Sequence, residues 1–176
     1  TSAKAASVAL SDGEKLLAES YQNTGLTHSQ TLMSMAETLI ESCGYTPQDI
    51  QAVAVAAGPG SFTGVRIGVA AAKGFAWGRE LPCYGVSTLE AMALQAGVWQ
   101  GYILPVMDAR REQVYNALFH AKDGKTERLC PDRAISLQEL GEEIKNLSEP
   151  VFLIGDGSVL CYNTLNQEVP LILPPE

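Results

Sequence analysis

Residues 51–78 read QAVAVAAGPGSFTGVRIGVAAAKGFAWG, and this stretch limits the fold more than any other. Ala52–Ala57 is a short apolar run closed by glycine, the pattern of a buried strand. Gly58-Pro59-Gly60-Ser61-Phe62-Thr63-Gly64 follows as a turn, and Val65–Trp77 is expected to be helical. Gly78 stands where a left-handed helix C-terminus favours a residue without a Cβ. A strand, a glycine loop and a helix N-terminus gather several backbone N–H groups at one point, a geometry that suits an anion or phosphate.

The loop fails the common phosphate motifs. A P-loop needs a final glycine followed by Lys, but the sixth residue from Gly58 is Thr63 and no Lys follows. The dinucleotide pattern G-x-G-x-x-G is met at Gly58 and Gly60 and broken at Thr63. A tight strand-to-helix turn capped by Ser61 or Thr63 is then the plainer reading, with an anion site as the alternative. In the helix, Gly64, Gly68 and Ala72 are four apart and share a face. Glycine inside a helix costs roughly 1 kcal/mol against alanine. The use expected of such a face is close packing, against this protein's own sheet or a partner helix. Arg66 and Lys73 interrupt the apolar run, which argues against a membrane span.

Elsewhere the chain alternates strand and helix signals. Residues 5–10 and 14–20 read as strands joined at Ser11-Asp12-Gly13. Residues 28–43 read as a helix with the stripe Leu32, Met35, Ala36, Leu39, Ile40 and Cys43. Thr46-Pro47-Gln48-Asp49 has the form of a capped single turn. Leu81–Val86 is a strand candidate, and Ser87 or Thr88 caps a short helix to Leu94, with Glu90 as capping-box partner. The order then recurs: strands at Tyr102–Asp108, Gln113–His120 and Thr126–Leu129, a capping box at Ser136–Glu139 opening a helix to Leu147, a strand at Val151–Ile154, and the turn Gly155-Asp156-Gly157 before another helix. This predicts an α/β chain in two similar halves, 1–100 and 101–176. The second half opens on a strand ending in Asp108, whereas Thr1 already lies at the edge of the first hairpin. An apolar strand ending in Asp is therefore expected upstream of Thr1.

The net charge of −8 makes the chain a poor stand-alone binder of nucleic acid. Cys43, Cys83, Cys130 and Cys161 lie 30 or more residues apart, a spacing that implies neither a zinc site nor a disulfide framework. No leader or long apolar span stands out, so the cytoplasm is the default compartment. Ser61 lacks a G-x-S-x-G frame, and Gly85-Val86-Ser87-Thr88-Leu89 lacks its closing glycine. His28 and His120 each stand without a second histidine nearby, so capping or surface roles are expected of them.

The string GPGSFTGVRIG, the opening TSAKAASVAL, the later MDARREQVY and the GDG near the end closely resemble the TsaB (YeaZ) family. That family is related to the glycoprotease (M22-like) proteins and takes part in threonylcarbamoyladenosine synthesis on tRNA. The resemblance implies a duplicated actin-like, Hsp70-like, sugar-kinase fold, related to ribonuclease H, with a further helical segment beyond Glu176. It implies a non-catalytic scaffold that works with the catalytic paralogue TsaD and the small ATPase TsaE. The paralogue carries two metal-binding histidines four apart; Thr88 and Met92 occupy the matching positions, so no metal site is expected. The groups that could hold a nucleotide are the loop Gly58–Gly64, Asp108, and Gly155, Asp156 and Gly157. ATP or ADP would bind weakly, mainly at the level of the complex. The plainer roles are a salt bridge from Asp108 to Arg110 or Arg111, and a simple turn at Asp156. The implied partner surface uses the two long helices, through Leu32, Met33, Met35, Ala36, Leu39, Arg66, Ile67, Ala70, Ala71 and Gly74. The same surface would pair two copies of the isolated chain, and tRNA would be reached only indirectly. A stand-alone actin-like ATPase or glycoprotease-type peptidase is the alternative.

Overall fold

The computed structural model describes residues 1–96, 98–166 and 170–174. The chain forms two compact units, Thr1–Val86 and Ser87–Glu176.

The first unit opens with an antiparallel ribbon, β1 (Ala6–Asp12) and β2 (Lys15–Gln22), with an irregularity at Leu10/Ser11. Helix α1 (His28–Ser42) buries Met35, Leu39 and Ile40, the inner part of the expected stripe. Pro47–Asp49 is one 3-10 turn closed by a capping box between Thr46 and Asp49. It leads to β3 (Val53–Gly58), helix α2 (Phe62–Trp77) and β4 (Cys83–Ser87), and β3 pairs with β4 in a separate two-stranded sheet. Gly78 is not left-handed: its φ is −63°, in the right-handed region. The chain leaves the helix two residues later, where Leu81 N–H donates to the Ala76 carbonyl and Glu80 takes φ 55°.

The second unit starts with α3 (Thr88–Gln95), whose first turn is capped by the Ser87 hydroxyl accepting from Glu90 N–H. Its central strand, β5 (Gly101–Arg110), is buried over most of its length. The expected single strand Gln113–His120 is two, β6 (Gln113–Asn116) and β7 (Phe119–Lys122). The break follows from pairing. Val106–Arg110 ladders with β6 and Gly101–Ile103 with β7. Pro105, which has no N–H to donate, falls between the two ladders. Beyond β7 lies β8 (Lys125–Arg128), and beyond β6 lies β9 (Arg133–Ser136), a strand not expected from the sequence. Helix α4 (Leu137–Ile144) starts at the Ser136/Glu139 capping box, and the Ser136 hydroxyl and amide hold the Glu139 carboxylate below its ordinary pKa. It ends three residues before Leu147. Then come β10 (Val151–Ile154), parallel to β5, helix α5 (Ser158–Leu165), and β11 (Leu171–Ile172) beside β10.

Alternate residues of β5 feed two cores. Leu104 and Val106 pack with Leu140 and Ile144 of α4 and with Cys161 and Leu165 of α5. Ile103 and Met107 pack with Leu89 and Ala93 of α3 and with Phe119. A strand covered on both faces must be apolar at nearly every position, which is why YILPVM lacks alternation.

Candidate functional site

The glycine loop is a seat for the protein's own backbone. Gly58 and Gly60 take φ of 116° and 155°, values that side chains rarely adopt. The Ser61 hydroxyl caps α2 by accepting from Gly64 N–H at 3.3 Å, which settles the cap in favour of Ser61 over Thr63. The Ser61 amide donates to the Ser2 carbonyl at 2.8 Å. A Cβ at Gly60 would overlap the Ser2 carbonyl, one at Gly64 the Thr1 carbonyl, and one at Gly68 the Thr1 hydroxyl. The small-residue face therefore meets Thr1-Ser2 first, and a Cβ at Gly64 would also come within 3.3 Å of the His28 ring at the start of α1. Of the N–H groups that could greet an anion, those of Ser61, Gly64 and Val65 are already bonded within the chain.

Asp108 and Asp156 are brought together. The Asp156 carboxylate accepts from the Asp108 amide at 3.3 Å, and the Asp108 carboxylate accepts from the Arg110 amide at 2.7 Å. The expected ion pair from Asp108 to Arg110 or Arg111 is absent among the described residues; backbone N–H groups take its place. Gly155 and Gly157 have a packing reason. A Cβ at Gly155 would overlap the Val106 carbonyl and the Met92 side chain, and one at Gly157 would come within 3.1 Å of the Met107 carbonyl carbon. The turn presses directly on β5, and Gly157 N–H bonds to the Val106 carbonyl.

Thr88 and Met92 lie one turn apart on α3. Thr88 is buried, and its hydroxyl has no partner among the described residues. Among the described residues, no three His, Cys, Asp or Glu side chains converge as metal ligands do. His28 Nε2 lies 3.2 Å from the Lys4 carbonyl, and His120 pairs with Glu149 while its ring meets Tyr102 edge-on. No helix among the described residues is long and apolar enough to cross a membrane.

The helix residues expected at the partner surface fall into three burial states. Met35 and Leu39 are buried in their own unit, so they are not free for a partner; Leu32, Ala36, Ile67 and Ala71 are half-buried. Met33, Arg66, Ala70 and Gly74 face solvent. The two largest exposed groups on α2 were not among the expected contacts: Phe62, 69% exposed, and Trp77, 87% exposed. Positions 62, 66, 70, 74 and 77 follow helical spacing, a signal that was present in the sequence. The Arg66 guanidinium stacks 3.7 Å over the Phe62 ring. Space is open beside Gly74, where a Cβ would meet nothing within 4 Å.

Residues 20–151 match the family model described as TsaD: tRNA N6-adenosine threonylcarbamoyltransferase. The tRNA threonylcarbamoyladenosine biosynthesis protein TsaB of Bacillus subtilis is 38% identical over 153 residues, covering 87% of this chain and 67% of that protein. TsaB of Escherichia coli is 40% identical over 108 residues, 54% of this chain and 46% of that protein. The solved structure of YeaZ from Pseudomonas aeruginosa superposes with a TM-score of 0.79 at 25% identity, covering 99% of this chain and 80% of that one. The architecture is thus the actin-like α/β class shared with sugar kinases and Hsp70. Within it, the chain belongs to the TsaB (YeaZ) family. Membership ties it to the biosynthesis of threonylcarbamoyladenosine on tRNA.

Proposed function

We propose that the protein is a non-catalytic subunit of the threonylcarbamoyladenosine machinery. It docks on a catalytic relative of the TsaD type and works with the small ATPase TsaE in the cytoplasm. The observation that carries this reading is the outward stripe of α2. An aromatic at each end, Phe62 and Trp77, brackets the small residues Ala70 and Gly74. Aromatic anchors around a small-residue notch suit a helix packed closely against a partner helix. Met33 adds an adaptable contact from α1. In isolation the same stripe pairs two copies of the chain, because an exposed apolar face favours self-association. Thr88 and Met92 support the absence of chemistry, since neither suits a hard or borderline metal ion. ATP or ADP binding is a property of the assembled complex.

Reconstitution tests this. The full-length protein, the catalytic relative and the small ATPase are combined with tRNA, ATP, threonine and bicarbonate. Modified adenosine is expected only when all are present. The double variant Phe62→Ala/Trp77→Ala is expected to remain folded, to lose co-elution with the catalytic relative, and to lose modification. ATP hydrolysis or peptide cleavage by the protein alone would overturn the reading.

A further inference from the structure

The hairpin between β5 and β6 is built in a costly way. Arg110 pairs across it with Gln113, leaving Arg111 and Glu112 as its two central residues. All three residues 110–112 lie in the left-handed region, with φ of 67°, 53° and 59°. A two-residue hairpin with positive φ at both centres normally uses Asn-Gly or Asp-Gly. The β7–β8 hairpin of this same unit does so with Asp123-Gly124, at φ 51° and 74°. Strain of this kind gathers where the side chain has work to do.

The arginines show what that work is. Arg128 and Arg133 are held by carboxylates. Arg66 and Arg79 are stacked on Phe62 and Phe75. Arg110 and Arg111 have neither kind of partner among the described residues, and both are exposed. Glu112 brings a carboxylate to the same turn but makes no ion pair with either arginine among the described residues, while Asp108 accepts the Arg110 amide and Asp156 the Asp108 amide. Two exposed arginines in succession at a hairpin turn suit successive oxyanions of an extended polyanion, and guanidinium matches phosphate geometry in a way ammonium does not. In a chain of net charge −8 such a contact must be local.

We propose that the Arg110–Arg111 tip contacts the phosphodiester backbone of tRNA in the assembled complex. This rests on the function proposed above and replaces the expectation of purely indirect tRNA contact. The test is titration of tRNA onto the complex of full-length protein and catalytic relative at several salt concentrations between 50 and 200 mM, a range over which phosphate contacts weaken by about 10-fold or more. Arg110→Ala/Arg111→Ala is expected to weaken binding about 10-fold at low salt, with the log–log salt slope reduced by about two. Arg110→Lys/Arg111→Lys is expected to keep the slope, and Arg79→Ala to change nothing. Unchanged affinity and slope in the double alanine variant, with wild-type assembly and modification intact, would overturn the tip alone. Loss of assembly in that variant would also overturn it and assign the tip to a partner protein's carboxylates. A wild-type chain that neither assembles nor supports modification would overturn the parent reading and this one with it.

Discussion

The carbonyl of Ser2 accepts a hydrogen bond from the amide of Ser61 at 2.8 Å, so the first residues of the chain lie across the glycine face of α2. Two effects compete at Gly64. Alanine there raises helix propensity by roughly 1 kcal/mol. Its Cβ would overlap the Thr1 carbonyl, and overlap with backbone in a packed site costs about 1–3 kcal/mol. The overlap is with backbone, which cannot swing aside, so it wins: Gly64→Ala is expected to destabilise the protein by up to about 2 kcal/mol in urea unfolding. Gly74→Ala, in the same helix with open space beside it, is expected to stabilise by up to about 1 kcal/mol. Equal effects at the two positions would show that the face is not occupied.

The hairpin tip offers a second balance. A side chain in the left-handed region costs roughly 1–2 kcal/mol, while glycine costs about 0.5–1 kcal/mol in chain entropy. Glu112→Gly is therefore expected to stabilise by about 0.5 kcal/mol or slightly more, leaving both arginines in place. Unfolding of the two proteins under identical conditions measures it, and a loss of stability would show that residue 112 is unstrained.

Cys161 is fully buried between β5 and the terminal helices, and burial pushes its thiol up to about 12 from an ordinary 9.0. The folded state holds this proton more tightly than the unfolded chain. The associated stability is complete below about pH 9 and is lost as pH rises toward 12. The slope is up to about 1.4 kcal/mol per pH unit within that window. Cys161→Ala leaves a cavity whose cost does not depend on pH, so its stability is lower overall but less steep above pH 9. Parallel curves for the two proteins would refute the burial argument. Under native conditions at pH 8, alkylation is expected to label exposed Cys83 and to spare Cys161.

Much of the second unit was legible in the sequence because its signals are local. The Ser136/Glu139 capping box, the Asp123-Gly124 turn and the run Val151–Ile154 each fix an element by themselves. The split of Gln113–His120 was not legible, since it depends on which partner each half of β5 meets. Strand β9 was missed because four residues after Pro131-Asp132 run straight into a helix cap without a turn of their own. At the candidate site, spacing located the glycine face but not what lies on it, because Thr1 and Ser2 arrive from 60 residues away. The exposed faces of the two long helices were half legible. Met35 and Leu39 belong to the apolar periodicity of α1 and so are buried, whereas Phe62 and Trp77 sit at the ends of α2, where turn and cap signals overlie the helical spacing that puts them on one face.

The seat beneath Thr1-Ser2 also changes what the string GPGSFTG can be used to find. Gly60 and Gly64 record a steric crossing, one strand of polypeptide laid over a helix shoulder with no room for a methyl group, while Gly58 has open space beside it and is set by its φ of 116°. A search keyed on that string therefore retrieves chains that share the crossing, whatever they carry elsewhere.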